Sequence, residues 1–201
     1  AAASANSNTN VAMLGESFKY AAPVAGSLGY SVEDTAIALG LMASSGLKSS
    51  MAGSSLRTIL TNLAKPTDDI SDAMDYLGIS LQNGDGSMKS LMDIVTDLRG
   101  AFGQCKMPMD QFQENLAKLD EKYANGELTE KKYNEALADL TEKAYGAEGA
   151  LKAKYAATLA GKEGMSGLLS IVSAAPEDFD KLTNAIYNSD GAAKEMAEIK
   201  M

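Results

Sequence analysis

The sequence predicts an all-α protein, a multi-helix bundle of short helices with an inserted helical hairpin. Three observations predict this class. Apolar residues recur at spacings of three and four along almost the whole chain. No stretch alternates apolar and polar residues for long enough to indicate a strand. Glycine or proline interrupts the helical pattern at short intervals. With 201 residues, 45% of them hydrophobic, the chain is long enough to bury a core.

The first part of the chain is predicted to form two helices whose ends are marked by capping and helix-breaking residues. An apolar stripe runs over residues 11–28, and we expect Pro23 to kink or end this helix. Gly29 then breaks the chain. Ser31 is placed to cap a second helix, which runs to about Ser44 and stops at Gly46.

Three further helices are predicted before residue 105. One carries a stripe over residues 56–63 and ends at Lys65-Pro66. Thr67 caps the next, which stops at Gly78. The turn-rich residues 83–87 are expected to close a short extended hairpin, and a helix is expected to begin near Ser87. Its apolar face consists of Met88, Leu91, Met92, Val95, Leu98 and Phe102.

A densely charged, nearly neutral segment follows. Residues 106–162 contain nine basic and ten acidic side chains. On either side of an Asn125-Gly126 turn, two apolar sets share the spacing 4, 3, 4, which predicts an antiparallel helical hairpin. The sets are Phe112, Leu116, Leu119 and Tyr123, then Tyr133, Leu137, Leu140 and Ala144. Asp110 with Gln113 resembles a capping box, and Thr129 is placed to cap the second arm.

The last part of the chain continues the helical pattern. A stripe of Leu151, Tyr155 and Leu159 leads back to the main body, and Pro176 occupies the favoured first position of a final amphipathic helix. Residues 1–10 carry neither a basic nor an apolar signal-peptide region, and residues 191–201 read as a helix without a stop signal. We therefore expect a piece of a longer protein.

Composition excludes several classes of function. The formal charge of −9 opposes sequence-independent binding to phosphate backbones, so no specific nucleic-acid partner is expected. Without histidine and with Cys105 as the one cysteine, the chain cannot form a histidine-dependent triad, an internal disulfide, or a His or multi-Cys metal site. The longest uncharged stretches, residues 35–47 and 164–176, are shorter than the roughly 20 residues that a spanning helix needs.

The motifs that could carry chemistry are weak. Ser45 and Lys48 form an S-x-x-K pattern without its companion motifs, and a capped turn at Gly46 is the favoured interpretation. Residues 83–87 could begin a calcium loop, but Met88 and Ile94 stand where glycine and glutamate are required. Cys105 has no histidine to act as its base. We therefore predict no enzyme activity, no cofactor, and no catalytic, cofactor-binding or metal-binding residues.

Two repeated features have structural interpretations. The eleven methionines are interpreted mainly as core residues, with an adaptable interaction surface as the alternative. The acid pairs Glu33-Asp34, Asp68-Asp69 and Glu177-Asp178 stand at predicted helix starts, where the helix dipole favours negative charge.

Several stretches carry a family resemblance. They are LGYSVEDTA (28–36), GLMASSGLK (40–48), AGSSLR (52–57) and LAKPT (63–67), with ANSNT (5–9), FKYAAPVA (18–25), LMDIVTDLR (91–99), GKEGMSGLL (161–169) and NSDGAA (188–193). Together they resemble the core region of phage tail tape-measure proteins of the TP901 type. The resemblance covers residues 1–105 and 161–201, so we interpret 1–105 as core helices, 106–160 as a charged helical-hairpin insertion, and 161–201 as the continuation of the core.

The resemblance implies a long, mostly helical structural protein. Such a protein occupies the lumen of the phage or prophage tail tube, sets tail length during assembly, and leaves with the genome on ejection. It implies the tail tube protein, a tail assembly chaperone and distal tail or tip proteins as partners, with possible self-association, assembly in the host cytoplasm, and membrane contact only during ejection. The alternative is a part of a tail-associated cell-wall-degrading or membrane-engaging protein used in genome entry.

Overall fold

The computed structural model describes residues 2–103, 109–145 and 149–189, and these contain ten α-helices and no extended strand. The predicted all-α class is confirmed. The helices are α1 (Ala2–Ala5), α2 (Val11–Ser27), α3 (Val32–Ser44), α4 (Ser49–Ala64), α5 (Asp68–Leu77), α6 (Leu91–Phe102), α7 (Met109–Ala124), α8 (Glu130–Tyr145), α9 (Gly149–Ser173) and α10 (Pro176–Tyr187).

Side-chain caps explain where most of the early helices begin. In four of them the capping oxygen accepts the backbone N–H three residues further on, at 2.8 to 3.4 Å, and so satisfies a donor that has no partner within the helix. The capping residues are Asn10, Ser31, Thr67 and Ser90. The predicted caps at Ser31 and Thr67 and the predicted stop at Gly78, which is left-handed, are confirmed.

Helix α4 lies at the centre of the fold and packs on α2 and α9 through small residues. A Cβ atom at Gly53 would lie 2.2 Å from the carbonyl oxygen of Ser17, so the backbones of α2 and α4 approach too closely for any other residue. The Ser17 hydroxyl also donates to the carbonyl of Ser49 at 2.7 Å. On the other side, the Ser55 hydroxyl donates to the carbonyl of Glu163 in α9 at 2.5 Å.

Pro23 does not end α2, which continues to Ser27. Of the kink or end expected at this position, the end is therefore wrong. Pro23 is exposed, whereas Ala21 and Ala25 are buried in the core. Pro23 has no N–H to donate to the carbonyl of Lys19, and burial of the alanine face holds the helix together.

The turn-rich segment before α6 contains less regular structure than the sequence pattern predicts. Gln82 and Met88 form one isolated antiparallel bridge, so the expected hairpin is reduced to a single pair. Helix α6 begins at Leu91 and not near Ser87, because the Ser90 side chain and Asp93 complete a capping box there. Met88 therefore lies outside the helix and is 47% exposed, while the rest of the predicted face is buried.

The helical hairpin of α7 and α8 is confirmed. Of its predicted apolar residues, Leu119, Tyr123 and Tyr133 are half-buried, and five are buried: Phe112, Leu116, Leu137, Leu140 and Ala144. Thr129 accepts the N–H of Lys132 at 3.4 Å, as a cap of α8 should.

The predicted capping box at the start of α7 involves Asp110, whose side chain lies outside the described residues. The Gln113 amide donates to the hydroxyl of Ser45 at 3.1 Å.

Gly103 and Gly161 combine a positive φ with an extended ψ. Gly103 ends α6 with φ 70° and ψ −176°. Gly161 interrupts α9 with φ 64° and ψ 179°, so this helix consists of two parts that meet at a kink. Both conformations lie in a region of backbone space that is essentially restricted to glycine.

The end of α9 is held by an arginine. The guanidinium of Arg99 donates to the carbonyls of Ile171 and Ala174, each at 2.7 Å, and lies 4.6 Å from the centre of the Phe179 ring. It thereby satisfies carbonyls that lack helical partners. Pro176 stands at the start of α10, as predicted.

Candidate functional site

A polar crevice of the described chain lies between the α7–α8 hairpin and the surfaces of α4 and α9. It has a volume of about 420 Å³ and its lining is rich in hydroxyl, amide and charged groups. A second crevice of about 330 Å³ adjoins it along α7, and both include Asp120 and Ser166 in their walls. These crevices form the candidate site.

Asp120 is the centre of the polar contacts in the crevice. One carboxylate oxygen accepts a hydrogen bond from the Tyr133 hydroxyl at 2.7 Å, and the other accepts one from the Ser166 hydroxyl at 2.5 Å. The hairpin supplies Asp120 and Tyr133, whereas Ser166 belongs to α9. One carboxylate therefore joins the two arms of the hairpin and links them to the rest of the fold.

The tyrosine of this group is held in its neutral form. Burial raises the pKa of Tyr133 well above its ordinary value, and the negative charge of Asp120 and the hydrogen bond to it raise the pKa further. Its ring also packs on that of Tyr123, with the ring centres 4.7 Å apart. At neutral pH the phenol is therefore a hydrogen-bond donor and not a base.

An exposed ion pair closes one end of the crevice. The ammonium of Lys162 lies 2.6 Å from the carboxylate of Glu130, and more than half of each side chain is exposed. The hydrogen bond to Glu130 raises the pKa of Lys162. Exposed pairs of this kind contribute little to stability because water and salt screen them, so this one orients the start of α8 more than it stabilises the fold.

Ser45 and Lys48 lie in the turn between α3 and α4. The hydroxyl of Ser45 donates to the carbonyl of Leu41 at 3.2 Å and accepts the amide of Gln113 at 3.1 Å. Gly46, with φ 89°, ends α3, and Lys48 precedes the first residue of α4. The arrangement is the polar turn that was the favoured interpretation of this motif.

The Asn83–Ser87 segment forms a self-contained turn. The carboxylate of Asp85 accepts the backbone N–H of Ser87 at 2.9 Å and its hydroxyl at 2.6 Å, and these two bonds lower the pKa of Asp85. The Asn83 amide donates to the Ser87 hydroxyl at 2.9 Å. Over residues 2–103, 109–145 and 149–189, no three His, Cys, Asp or Glu side chains are grouped so that they could hold a metal ion.

The remaining sequence hypotheses have mixed outcomes. Met42, Met92 and Met165 are buried, whereas Met13 and Met51 are exposed, so the methionines serve both core and surface. The acid pairs stand in the first turns of α3, α5 and α10, as predicted.

Cys105 lies outside the described residues. Within the described residues, no helix combines the length and apolar character that crossing a membrane requires.

The sequence hypotheses missed the contacts of Asp120. A signal was present, since an acidic residue follows directly after Leu119 in an apolar seam and a tyrosine stands at the matching position of the other arm. Spacing alone does not show that Ser166, 46 residues away, meets the same carboxylate.

In the comparison with known proteins, the chain is similar to phage tail proteins. Residues 1–140 match the model of a family described as phage-related minor tail protein. The chain is similar to the tape measure protein of Pneumococcus phage Dp-1, with 36% identity over 198 residues, which is 98% of this chain and 14% of that protein. It is also similar to the probable tape measure protein of Escherichia phage P2, with 25% identity over 187 residues, or 92% of this chain and 18% of that protein. The chain thus spans less than a fifth of either relative. No solved structure matches it.

Proposed function

Because this chain belongs to the phage-related minor tail protein family, we propose that it is a segment of a tape measure protein that sets tail length during assembly and leaves the tail with the genome at ejection. The observation that carries this proposal is the 36% identity to a protein named tape measure protein, which extends over 98% of the chain. The sequence resemblance to the tape-measure family leads to the same function.

The physical properties of the chain support a role inside a tail. Helices convert residue number into length in a regular way, at about 1.5 Å per residue. The net charge of −9 repels the phosphate backbone, which suits a protein that shares a narrow lumen with DNA. The crevice around Asp120 contains structural hydrogen bonds, which supports a structural role without turnover.

The proposed partners follow from that location. In the tail lumen the segment contacts the tail tube protein, and at the ends of the tail it contacts distal tail or tip proteins. During assembly in the host cytoplasm a tail assembly chaperone keeps it from premature association, and copies of the segment pack against one another. Contact with a membrane is confined to ejection.

The domain organisation is part of the same proposal. Residues 1–105 and 161–201 form the core of the segment, and residues 106–160 form a helical-hairpin insertion between them. The nearly neutral, densely charged composition of the insertion supports this division, because the other residues hold almost all of the excess negative charge.

Tail length after in-frame deletion of residues 106–160 tests the proposal. If the segment is extended along the tail as helix, the loss of about 55 residues at about 1.5 Å each shortens the tail by about 80 Å. The matched control replaces the same residues with an unrelated helical sequence of equal length and restores the original length. Intact tails of unchanged length after the deletion would show that these residues do not measure length.

A further inference from the structure

Two exposed turns contain an asparagine that is followed directly by glycine. Asn83-Gly84 lies between α5 and α6, and Asn125-Gly126 lies between α7 and α8. Asparagine is a thermolabile residue, because the backbone nitrogen of the next residue can attack its side-chain amide carbon. A following glycine hinders this attack least, since it has no Cβ. The sequence alone therefore gives both asparagines the same reactivity.

The two glycine nitrogens differ in their hydrogen bonds. The N–H of Gly126 donates to the carbonyl of Tyr123 at 3.0 Å, and the N–H of Glu127 donates to the carbonyl of Lys122 at 2.9 Å. These bonds hold Gly126 in a left-handed turn at the end of α7, with φ 75°. Over residues 2–103, 109–145 and 149–189, the N–H of Gly84 has no hydrogen-bond partner. The attacking nitrogen is thus free at Gly84 and engaged at Gly126.

The side chain of Asn83 is held by one exposed hydrogen bond. Its amide nitrogen donates to the hydroxyl oxygen of Ser87 at 2.9 Å, and that hydroxyl donates to the carboxylate of Asp85 at 2.6 Å. The backbone N–H of Asn83 donates to the carbonyl of Ser87 at 2.8 Å, and its carbonyl accepts the N–H of Gly86 at 3.0 Å. Exposed bonds of this kind exchange with water at a small net cost. They slow the approach of the side chain to the Gly84 nitrogen without preventing it.

We propose that Asn83 is a site of spontaneous deamidation in the folded protein, and that Ser87 restrains the reaction. Hydroxide removes the proton from the Gly84 nitrogen, which forms a bond to the side-chain carbonyl carbon of Asn83. The bond from that carbon to the side-chain nitrogen breaks, and water protonates the departing nitrogen, so ammonia leaves and hydroxide is regenerated. A second water molecule opens the cyclic imide at either carbonyl, which gives aspartate or isoaspartate. This chemistry does not depend on whether the parent protein measures tail length.

Deamidation replaces a hydrogen-bond donor by a negative charge in a turn that already contains a carboxylate. The new carboxylate cannot donate to Ser87, whose hydroxyl donates to Asp85. Two carboxylates beside one hydroxyl repel each other, and the reaction adds one negative charge to the formal −9 of the chain. We therefore expect the modified turn, which the Gln82–Met88 bridge closes, to loosen.

Peptide mass spectrometry of the 201-residue chain measures the reaction at each site. The chain is incubated in mildly alkaline heavy-oxygen water and digested in ordinary water, so the isotope marks only deamidation that precedes digestion. Asn83 is expected to deamidate about tenfold faster than Asn125, because the two hydrogen bonds at the Gly126 turn have to open first. In guanidinium chloride, where the chain is unfolded, the two sites are expected to react at similar rates.

Two substitutions in the turn should act on the reaction in opposite directions. A Cβ at Gly84 would lie in open space, and the φ of Gly84 is outside the left-handed region, so Gly84→Ala fits the fold. Its methyl group crowds the attacking nitrogen and is expected to slow deamidation of Asn83 at least about tenfold. Ser87→Ala frees the Asn83 side chain and is expected to speed the reaction roughly two- to tenfold. Gly15→Ala, in an open position of α2, is the control and should leave the rate unchanged.

The comparison of Asn83 with Asn125 needs no variant, and circular dichroism establishes that each variant is folded before incubation. If the two sites react at equal rates in the folded chain, or with the same ratio of rates in the folded and unfolded chains, the fold does not select Asn83 and the proposal is wrong. An unchanged rate in Gly84→Ala would exclude attack by the Gly84 nitrogen. A rate that does not rise in Ser87→Ala would overturn the restraining role of Ser87.

Discussion

The hydroxyl of Tyr187 donates a hydrogen bond to the carboxylate of Asp34 at 2.5 Å, although the two residues are 153 positions apart in the chain. Asp34 is buried in the first turn of α3, and Tyr187 is the last residue of α10. The bond therefore ties the end of the described chain to a helix near its beginning.

We expect Tyr187→Phe to lower the free energy of unfolding by about 1 kcal/mol, because a buried carboxylate loses a donor. The figure is at the low end for bonds to charged groups, since Tyr187 is 45% exposed. Urea denaturation followed by circular dichroism measures the change. Tyr20→Phe, on the surface of α2, is the control and should stay within about 0.5 kcal/mol of the parent. Equal stability of the two variants would contradict a stabilising role for this bond.

Stability is expected to fall in alkaline solution through the tyrosines. Burial raises the pKa of both Tyr133 and Tyr187, and hydrogen bonds to carboxylates raise these pKa values further. In the unfolded chain both titrate near pH 10. Their contribution is therefore complete below about pH 10 and is lost as the pH rises toward the folded-state values. Urea midpoints measured from pH 8 to 11 should fall for the parent chain and fall less for the double variant Tyr133→Phe/Tyr187→Phe.

Two threonines should respond in opposite directions to the same substitution. The hydroxyl of Thr183 is buried and has no hydrogen-bond partner among the described residues. The hydroxyl of buried Thr35 donates to the carbonyl of Ser31 at 2.8 Å. Thr183→Val is expected to raise the unfolding free energy by about 1 kcal/mol, and Thr35→Val to lower it by a similar amount. Thermal unfolding of both variants provides the comparison, and a destabilised Thr183→Val would show that this hydroxyl is satisfied.

Substitution by alanine should change the free energy of unfolding in opposite directions at glycines of two neighbouring helices. An added Cβ at Gly53 would meet the backbone of α2, which cannot give way as a side chain can. Gly53→Ala is therefore expected to cost about 3 kcal/mol or more. Gly15→Ala lies in open space within α2 and should stabilise by roughly 0.5 to 1 kcal/mol. Denaturation midpoints that move together for the two variants would contradict the close approach of α2 and α4.

Local rules were sufficient to predict most of the helices. Caps such as Ser31 and Thr67, and stops such as Gly78, act through hydrogen bonds over three to five residues, so their effect is readable from the sequence. The expected helix start near Ser87 is wrong because Ser90 and Asp93 form a capping box three residues later. At Pro23, tertiary packing of the alanine face overrides the tendency of proline to end a helix.

The contacts of the candidate site were not predictable in the same way. Asp120, Tyr133 and Ser166 meet because three helices cross, and the crossing depends on small residues such as Gly164 and Gly167 that let α9 approach α4. Apolar spacing shows which face of a helix is buried but not which partner it meets. The kink at Gly161 was also missed, since a lone glycine within a helical pattern is ordinarily tolerated.

The isolated bridge between Gln82 and Met88 has a consequence for pairing with other chains. Within the described residues, this single pair is the only sheet-like hydrogen bonding, so the fold offers no long row of free strand donors and acceptors on which another chain could template itself. Amyloid-like stacking requires such rows. Over residues 2–103, 109–145 and 149–189, the fold therefore lacks the strand edges through which copies could stack in this way.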